Sequence, residues 1–523
     1  MAKPTTVRGA VLDLLRHFGM TTIFGNPGST ELPMFREWPD DFRYILGLQE
    51  SCVLGMADGF AQATRNAAFV NLHSAAGVGN ALGNIFTAFK NRTPLVITAG
   101  QQARAILPTE PFLFALQATE FPKPYVKWSN EPARAQDVPA AIARAYYMAM
   151  QPPCGPTFVS VPIDDWDAET QLVAPRQVST ALRPDPAALG PLVEALDRSE
   201  RPVFVIGDAV ERDRGGFAAA VRLAERYNAL VWVSPMSGRC SFPETHPLFA
   251  GFLPAMREQI VASLAGHDVI LALGAPVFTY HVEGFGPYIP AGSTLFQVID
   301  DPQMASFSPV GQAVVSSLRL AMEDLLARAE PRPRATPNGR PVPPRAEASH
   351  PISVAYVMQT VAETRPGNSI IVEEAPSSRP IMQTYLPITA SNGFYTCSSG
   401  GLGHGLPASI GVALARPDEH VVALIGDGSA MYAIQSLWTA AQLGLRMTVV
   451  ILRNGRYEAL HQFGKLFGLP ETVGTMLPGL DFVDLARGQG FQAFRIERAQ
   501  ELAEALRPAY GSDRPTLIEV AVA

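Results

Sequence analysis

One acidic residue between two glycines closes the apolar run Val421-Val422-Ala423-Leu424-Ile425-Gly426-Asp427-Gly428-Ser429. A carboxylate at a strand's C-terminal end stands where open α/β sheets bind ligands. Flanking glycines let a diphosphate approach the backbone, and a helical pattern follows through Ile434, Leu437 and Trp438. A second apolar run, Met447–Leu452, ends at Asn454-Gly455, with 25 residues between Gly428 and Asn454. If the two runs are neighbouring strands, Asp427 and Asn454 converge. Two oxygen ligands with phosphate oxygens then suit a hard cation such as Mg2+. Taken singly, each motif reads as a tight turn; the pair, each after a strand, favours the cation site. Glu50 opens a helix carrying Val53, Leu54, Ala57 and Ala61, after a strand Tyr44–Leu48 expected to be buried. Alone it reads as a first-turn acid favoured by the helix dipole. Ser29, His73 and His281 carry groups that bind or move protons. Each alone also reads as a helix cap, a hydrogen-bonded structural imidazole and a loop residue. Of the other seven histidines, His461 stands out by its closeness to Asn454.

Short β-branched runs alternating with longer helical patterns position these residues, and that alternation implies parallel sheets covered on both faces. The first stretch opens with a helix face of Val7, Val11, Leu14, Leu15 and Phe18. Strands Thr22–Phe24, Tyr44–Leu48, Phe69–Leu72, Leu95–Ala99 and Phe158–Val161 follow, with a turn at Gly25–Gly28 and a helix over Gly79–Phe89. The second carries strands Val203–Ile206, Val231–Val233, Val269–Leu273 and Leu295–Ile299, with helices Phe217–Tyr227 and Leu318–Ala329. Seven prolines within positions 331–351 make an extended linker. Beyond it lie strands Ser369–Val372, Val421–Ile425, Met447–Leu452 and Thr516–Val520.

The 523 residues are 47% hydrophobic and 17% charged, with a net charge of −7. That composition excludes a disordered chain, and the charge gives no footprint for nucleic acid or an anionic membrane. Four isolated cysteines, Cys52, Cys154, Cys240 and Cys397, suit a reducing cytoplasm. The start at Met1 runs into an amphipathic helix instead of an apolar signal core, and no apolar run is long enough for a membrane span.

Gly426-Asp427-Gly428 with Asn454 resembles the metal–diphosphate motif of thiamine diphosphate enzymes. Phe24–Pro33, Asn71–Gly77, Gly274–His281 and Cys397–Gly403 resemble, in order along the whole chain, the benzoylformate decarboxylase family. The resemblance implies an α/β chain of three doubly wound domains with mainly parallel sheets. These are a pyrimidine-binding domain (1–180), a middle domain (181–340) and a diphosphate- and metal-binding domain (341–523). It implies thiamine diphosphate and Mg2+ as cofactors, with Asp427, Asn454 and the Arg456 carbonyl on the metal. Gly426, Gly428, Ser429 and Leu402 would hold the cofactor, and Leu402 would keep it bent. Glu50 would share a proton with its pyrimidine ring. Ser29, His73 and His281 would act on the substrate, in a pocket completed by Leu402, Ala459, Leu460 and Phe463. Pro376 and Thr396 depart from the family pattern where a hydroxyl and an aromatic residue align, in positions that would line the substrate cavity. The implied activity is non-oxidative decarboxylation of a 2-oxo acid, benzoylformate foremost. Carboligation of acetolactate synthase or benzaldehyde lyase type is the alternative, and a non-catalytic paralogue the third reading. Some relatives bind FAD in the middle domain, but no Gly-x-Gly-x-x-Gly follows its strands here. The implied assembly is a homo-oligomer, a dimer of dimers, with Glu50 and Asp427 of each site on different chains.

Overall fold

The computed structural model describes residues 5–523; the expectation for the extreme N-terminus, Met1–Pro4, lies outside them. The described chain divides into two compact units: 1–178 with 347–380 and 396–523, and 179–346 with 381–395.

The first unit contains two six-stranded sheets beside a small antiparallel pair, Thr5–Thr6 with Glu169–Thr170. One runs in the order Arg43–Leu46, Thr22–Asn26, Ala68–Leu72, Leu95–Gln101, Pro156–Pro162, Ser129–Asn130, every pairing parallel. Its core forms where the opening helix, Val7–His17, lays Val7, Val11, Leu14 and Leu15 against Ile23, Phe69 and Val96. The other sheet repeats the connectivity in the order Phe394–Thr396, Ile370–Glu374, Val421–Gly426, Met447–Arg453, Thr516–Ala521, Gln492–Ile496, parallel from Ile370–Glu374 onward. In both, the first strand in the chain lies beside the third, and the second lies on the far side of the first. The connection therefore reverses direction between the first and third strands. Loops leaving their C-terminal ends splay apart there, and ligands bind in such crevices.

The helix after Glu50 (Glu50–Thr64) packs on the helix Gly405–Ala415 almost backbone to backbone. Cβ atoms at Gly59 and Gly411 would collide with the backbones of Ala408 and Met56. At the same contact Asp58 and His404 are fully buried. Asp58 Oδ2 accepts from His404 Nε2 (2.9 Å) and Asn91 Nδ2 (2.9 Å). Its Oδ1 accepts from Thr93 Oγ1 (2.5 Å) and Gln62 Nε2. Burial alone would lift the Asp58 carboxyl, but the His404 ring and these donors hold it below the usual range.

The second unit has one parallel sheet, in the order Phe249–Phe252, Leu230–Val233, Pro202–Ile206, Val269–Leu273, Thr294–Ile299, Gln312–Val315. That is the strand order of dinucleotide-binding folds. Its reversal point is closed: a Cβ on Gly207 would collide with the Gly274 carbonyl and with Ala275. The proline-rich linker carries no helix or strand. Its Arg334 is strapped to the body of this unit, donating to the carbonyls of Ser199 (2.8 Å) and Tyr227 (3.0 Å).

Several elements differ from expectation. The strand over Tyr44–Leu48 is Arg43–Leu46 and is half exposed, because it lies at a sheet edge. Thr22–Asn26 runs through Gly25 and Asn26, where a turn was expected. The helix after Asp427 breaks into Asp427–Met431 and Ser436–Gln442. Among the described residues no helix is long and apolar enough to cross a membrane.

Candidate active site

Ser29 and His73 occupy the reversal point of the first sheet, on the loops leaving Thr22–Asn26 and Ala68–Leu72. Ser29 is exposed in the turn. It caps no helix; the short 3-10 helix Leu32–Phe35 begins after Glu31. Glu31 is the residue that organises this loop, and it is 1% exposed. Its Oε2 accepts from Gly28 N (2.8 Å) and lies 3.0 Å from His73 Nδ1. Its Oε1 accepts from Gly100 N (2.8 Å) and Thr30 Oγ1 (2.6 Å). A carboxylate accepts only, so Nδ1 carries the proton toward Glu31. That leaves Nε2 as the ring nitrogen not spent on Glu31. Gly28 is required by the same contact, since a Cβ there would enter the His73 ring. Sequence reasoning did not single out Glu31. Its partner lies 42 positions away, and nothing local marks the pairing.

Glu50 begins its helix behind an unusual cap: Gln49 Oε1 accepts from Ser51 N (2.7 Å) and Cys52 N (3.2 Å). The Glu50 side chain is buried, and two amide groups hold its carboxylate. Asn26 Nδ2 donates to Oε1 (3.2 Å) and Asn80 Nδ2 to Oε2 (3.0 Å).

The reversal point of the third sheet holds Asp427. Strands Val421–Gly426 and Met447–Arg453 are adjacent, with Gly426 opposite Leu452, so the two motifs meet as the spacing required. Asp427 Oδ2 accepts from Asn454 N (3.0 Å) and Gly455 N (2.6 Å), and Oδ1 from Gly428 N (2.8 Å). Burial pushes the Asp427 carboxyl up, against the pull of these three N–H groups. Asn454 Oδ1 accepts from Arg456 N (3.1 Å), which folds the 454–456 turn that Asp427 holds through the Asn454 and Gly455 N–H groups. Among the described residues no cluster of three or more His, Cys, Asp or Glu is arranged for a metal. The donor set here is instead one carboxylate, one amide oxygen and a backbone carbonyl. All are hard oxygens, and they fit a Mg2+ whose remaining positions are filled by phosphate. The two glycines differ in use. Gly426 is uncrowded, whereas a Cβ on Gly428 would press on the Tyr457 ring at 2.5 Å. Ser429 is buried beside them.

Leu402 is half-buried, not a core leucine. Its loop is fixed by Glu374, whose carboxylate accepts from Gly403 N (2.6 Å), His404 N (2.8 Å) and Gly405 N. Ala459 and Phe463 are half-buried and Leu460 half-exposed on the helix Glu458–Leu466. Thr396 does not face a cavity. It is 2% exposed, its hydroxyl donates to Glu373 Oε2 (3.0 Å), and it accepts from Arg379 Nη2 (2.6 Å). Pro376 is exposed. His281 belongs to the second unit, exposed on the loop after Val269–Leu273, with its backbone N–H on the Ala255 carbonyl (2.9 Å).

Three family models match. The thiamine pyrophosphate enzyme N-terminal TPP binding domain covers residues 5–119. The central domain covers 189–325 and the C-terminal TPP binding domain 377–520. The chain is 45% identical over 520 residues to a benzoylformate decarboxylase of Pseudomonas aeruginosa, covering 98% of each chain. A thiamine diphosphate-dependent 4-hydroxybenzoylformate decarboxylase of Rhodococcus jostii superposes with TM-score 0.95 at 42% identity, over 99% of each chain. The benzoylformate decarboxylase of Polynucleobacter necessarius gives TM-score 0.96 at 40% identity, over 99% of this chain and 98% of that one. Acetolactate synthase large subunits are more distant, at 24–28% identity. With its parallel-sheet domains and end-to-end likeness, the chain belongs to the benzoylformate decarboxylase family of thiamine diphosphate-dependent enzymes.

Proposed function

We propose that this enzyme decarboxylates an aryl 2-oxo acid without oxidation, converting benzoylformate to benzaldehyde and carbon dioxide. The observation that carries the reading is the pair of buried Glu31 and half-buried His73, since it fixes a proton-bearing imidazole at a sheet's reversal point, where the loop that carries Glu31 also exposes Ser29. Asp427, Asn454 and the Arg456 carbonyl would hold Mg2+, and Gly426, Gly428 and Ser429 would lie around the cofactor diphosphate. Bound there, thiamine diphosphate supplies the nucleophilic carbon and accepts the electrons released with carbon dioxide. Glu50 holds the pyrimidine by a proton shared at its carboxylate. Asn26 and Asn80 keep that carboxylate aimed, and Leu402 constrains the cofactor's bend. Ser29 holds the substrate carboxylate by a hydrogen bond from its hydroxyl. His73, as imidazolium, keeps its Nδ1 proton on Glu31 and gives its Nε2 proton to the substrate's keto oxygen as charge develops there. His281 delivers a proton to the product carbon. Ala459, Leu460 and Phe463 wall the pocket and exclude water.

Glu50 and Asp427 serve one site from different chains, so the working form is a homo-oligomer, a dimer of dimers. Large apolar side chains left exposed along two segments support this: Phe112 and Leu116 in one, Phe467, Leu469 and Val473 in the other. Four free thiols, three of them buried, suit a reducing cytoplasm. Incubation with benzoylformate, Mg2+ and thiamine diphosphate, followed by product separation, tests the reading. Benzaldehyde with stoichiometric carbon dioxide is expected; 2-hydroxy ketones as main products would replace it with carboligation, and no turnover across a panel of 2-oxo acids with cofactor bound would overturn it.

A further inference from the structure

His461, on the helix that follows the Asn454–Arg456 turn, is used by none of the steps above, yet both of its ring nitrogens are engaged. Nδ1 lies 2.9 Å from Thr472 Oγ1 and Nε2 2.9 Å from Thr475 Oγ1. The Thr475 hydroxyl also donates to the Thr472 carbonyl (3.0 Å), so the Nε2 proton points to Thr475. His461 thereby pins the segment 472–477 onto the helix Glu458–Leu466. The seating is close: a Cβ on Gly464 would collide with the Thr472 methyl. The pinned segment in turn grips the turn that carries Asn454 and Arg456. Tyr457 N donates to the Thr475 carbonyl (2.8 Å) and Leu477 N to the Gly455 carbonyl (2.8 Å). Arg456 pairs antiparallel with Met476 between them. The Tyr457 ring, set by the same strand pair, fills the space beside Gly428. One imidazole thus closes a path from the wall bearing Ala459, Leu460 and Phe463 to the turn around Asp427.

We propose that His461 is a positioning residue for the metal–diphosphate turn, acting through Thr475 and the backbone of 455–457. The proposal rests on the reading of Asp427, Asn454 and Arg456 as the Mg2+ site. A residue that orients ligands from behind typically changes metal affinity 10- to 100-fold. Removal of His461 should therefore loosen the cofactor more than it slows turnover.

Holoenzyme dialysed into decreasing Mg2+, with retained thiamine diphosphate quantified, measures this directly. His461→Ala should need roughly tenfold more Mg2+ to keep its cofactor, while kcat at saturating Mg2+ and cofactor stays near wild type. His461→Gln, which offers one donor and one acceptor to the two threonines, should restore retention. Thr472→Val at a half-buried position reports on the same clamp if His461→Ala folds poorly. Thr475→Val combined with His461→Ala should lose no more than either alone. Superposable retention curves for His461→Ala and wild type would overturn the proposal, as would equal losses in the Ala and Gln variants. Asp427→Ala runs alongside and should lose cofactor at every Mg2+ concentration. If it retains cofactor like wild type, the metal assignment itself is wrong, and the role of His461 falls with it.

Discussion

His73 would be one among nine histidines if Glu31 were not buried beneath it. The pair implies unequal consequences for the two residues. His73→Ala should cost about 10²- to 10⁴-fold in kcat, the usual worth of a positioned acid or base, with cofactor retained. Ser29→Ala and His281→Ala should lose activity in the same way. Glu31→Gln keeps the shape but lets an amide face Nδ1, so it should slow turnover less than His73→Ala and shift the pH–rate profile. An unchanged profile with wild-type kcat would remove Glu31 from the site. Asp427 and Asn454 were legible in the sequence because each ends a strand and strand adjacency does the rest. Glu31, Glu374 and the amides of Asn26 and Asn80 were not, because their partners are fixed only when distant loops are brought together.

A second residue-scale prediction concerns His420, which is 5% exposed with Nε2 2.9 Å from Thr448 Oγ1. Burial pushes its pKa down from 6.5 to about 4, and Arg446 adds to the effect. The folded state thus takes up this proton less readily than the unfolded chain. Stability from this group is complete above pH 6.5 and declines as pH falls from there toward 4, by a total on the order of 3 kcal/mol. His420→Gln keeps the contact to Thr448 without titrating. Its urea-unfolding free energy should fall less steeply than wild type between those limits, and equal slopes would refute the assignment.

At the scale of elements, the contact between Glu50–Thr64 and Gly405–Ala415 has the least room. Gly59→Ala would drive a methyl group into the Ala408 carbonyl, so we expect about 1–3 kcal/mol of destabilisation seen as a lower denaturant midpoint. The same change at Gly83, where nothing crowds an added Cβ, should be neutral or stabilising. Strong apolar runs such as Val269–Leu273 matched the structure residue for residue. Gln312–Val315 and Gln492–Ile496 went unread, since edge strands bury too few of their residues to show a pattern. The Tyr44–Leu48 run misled for the related reason that apolar composition does not reveal an edge.

For the whole molecule, sedimentation should report a dimer or tetramer whose dissociation abolishes turnover; a fully active monomer would refute the shared site. The sequence told of three doubly wound sheets. It did not tell that the first and third coalesce into one compact unit, a fact that rests on glycines and one buried charge pair instead of on any local pattern.

That coalescence bears on heredity. Because Gly59 and Asp58 were fitted to Ala408 and His404, the N-terminal third and the C-terminal third of the gene are not independent cassettes. A chimera that exchanges the N-terminal third alone with a relative would inherit mismatched halves of this contact, whereas exchange of both ends around a native centre would keep it whole.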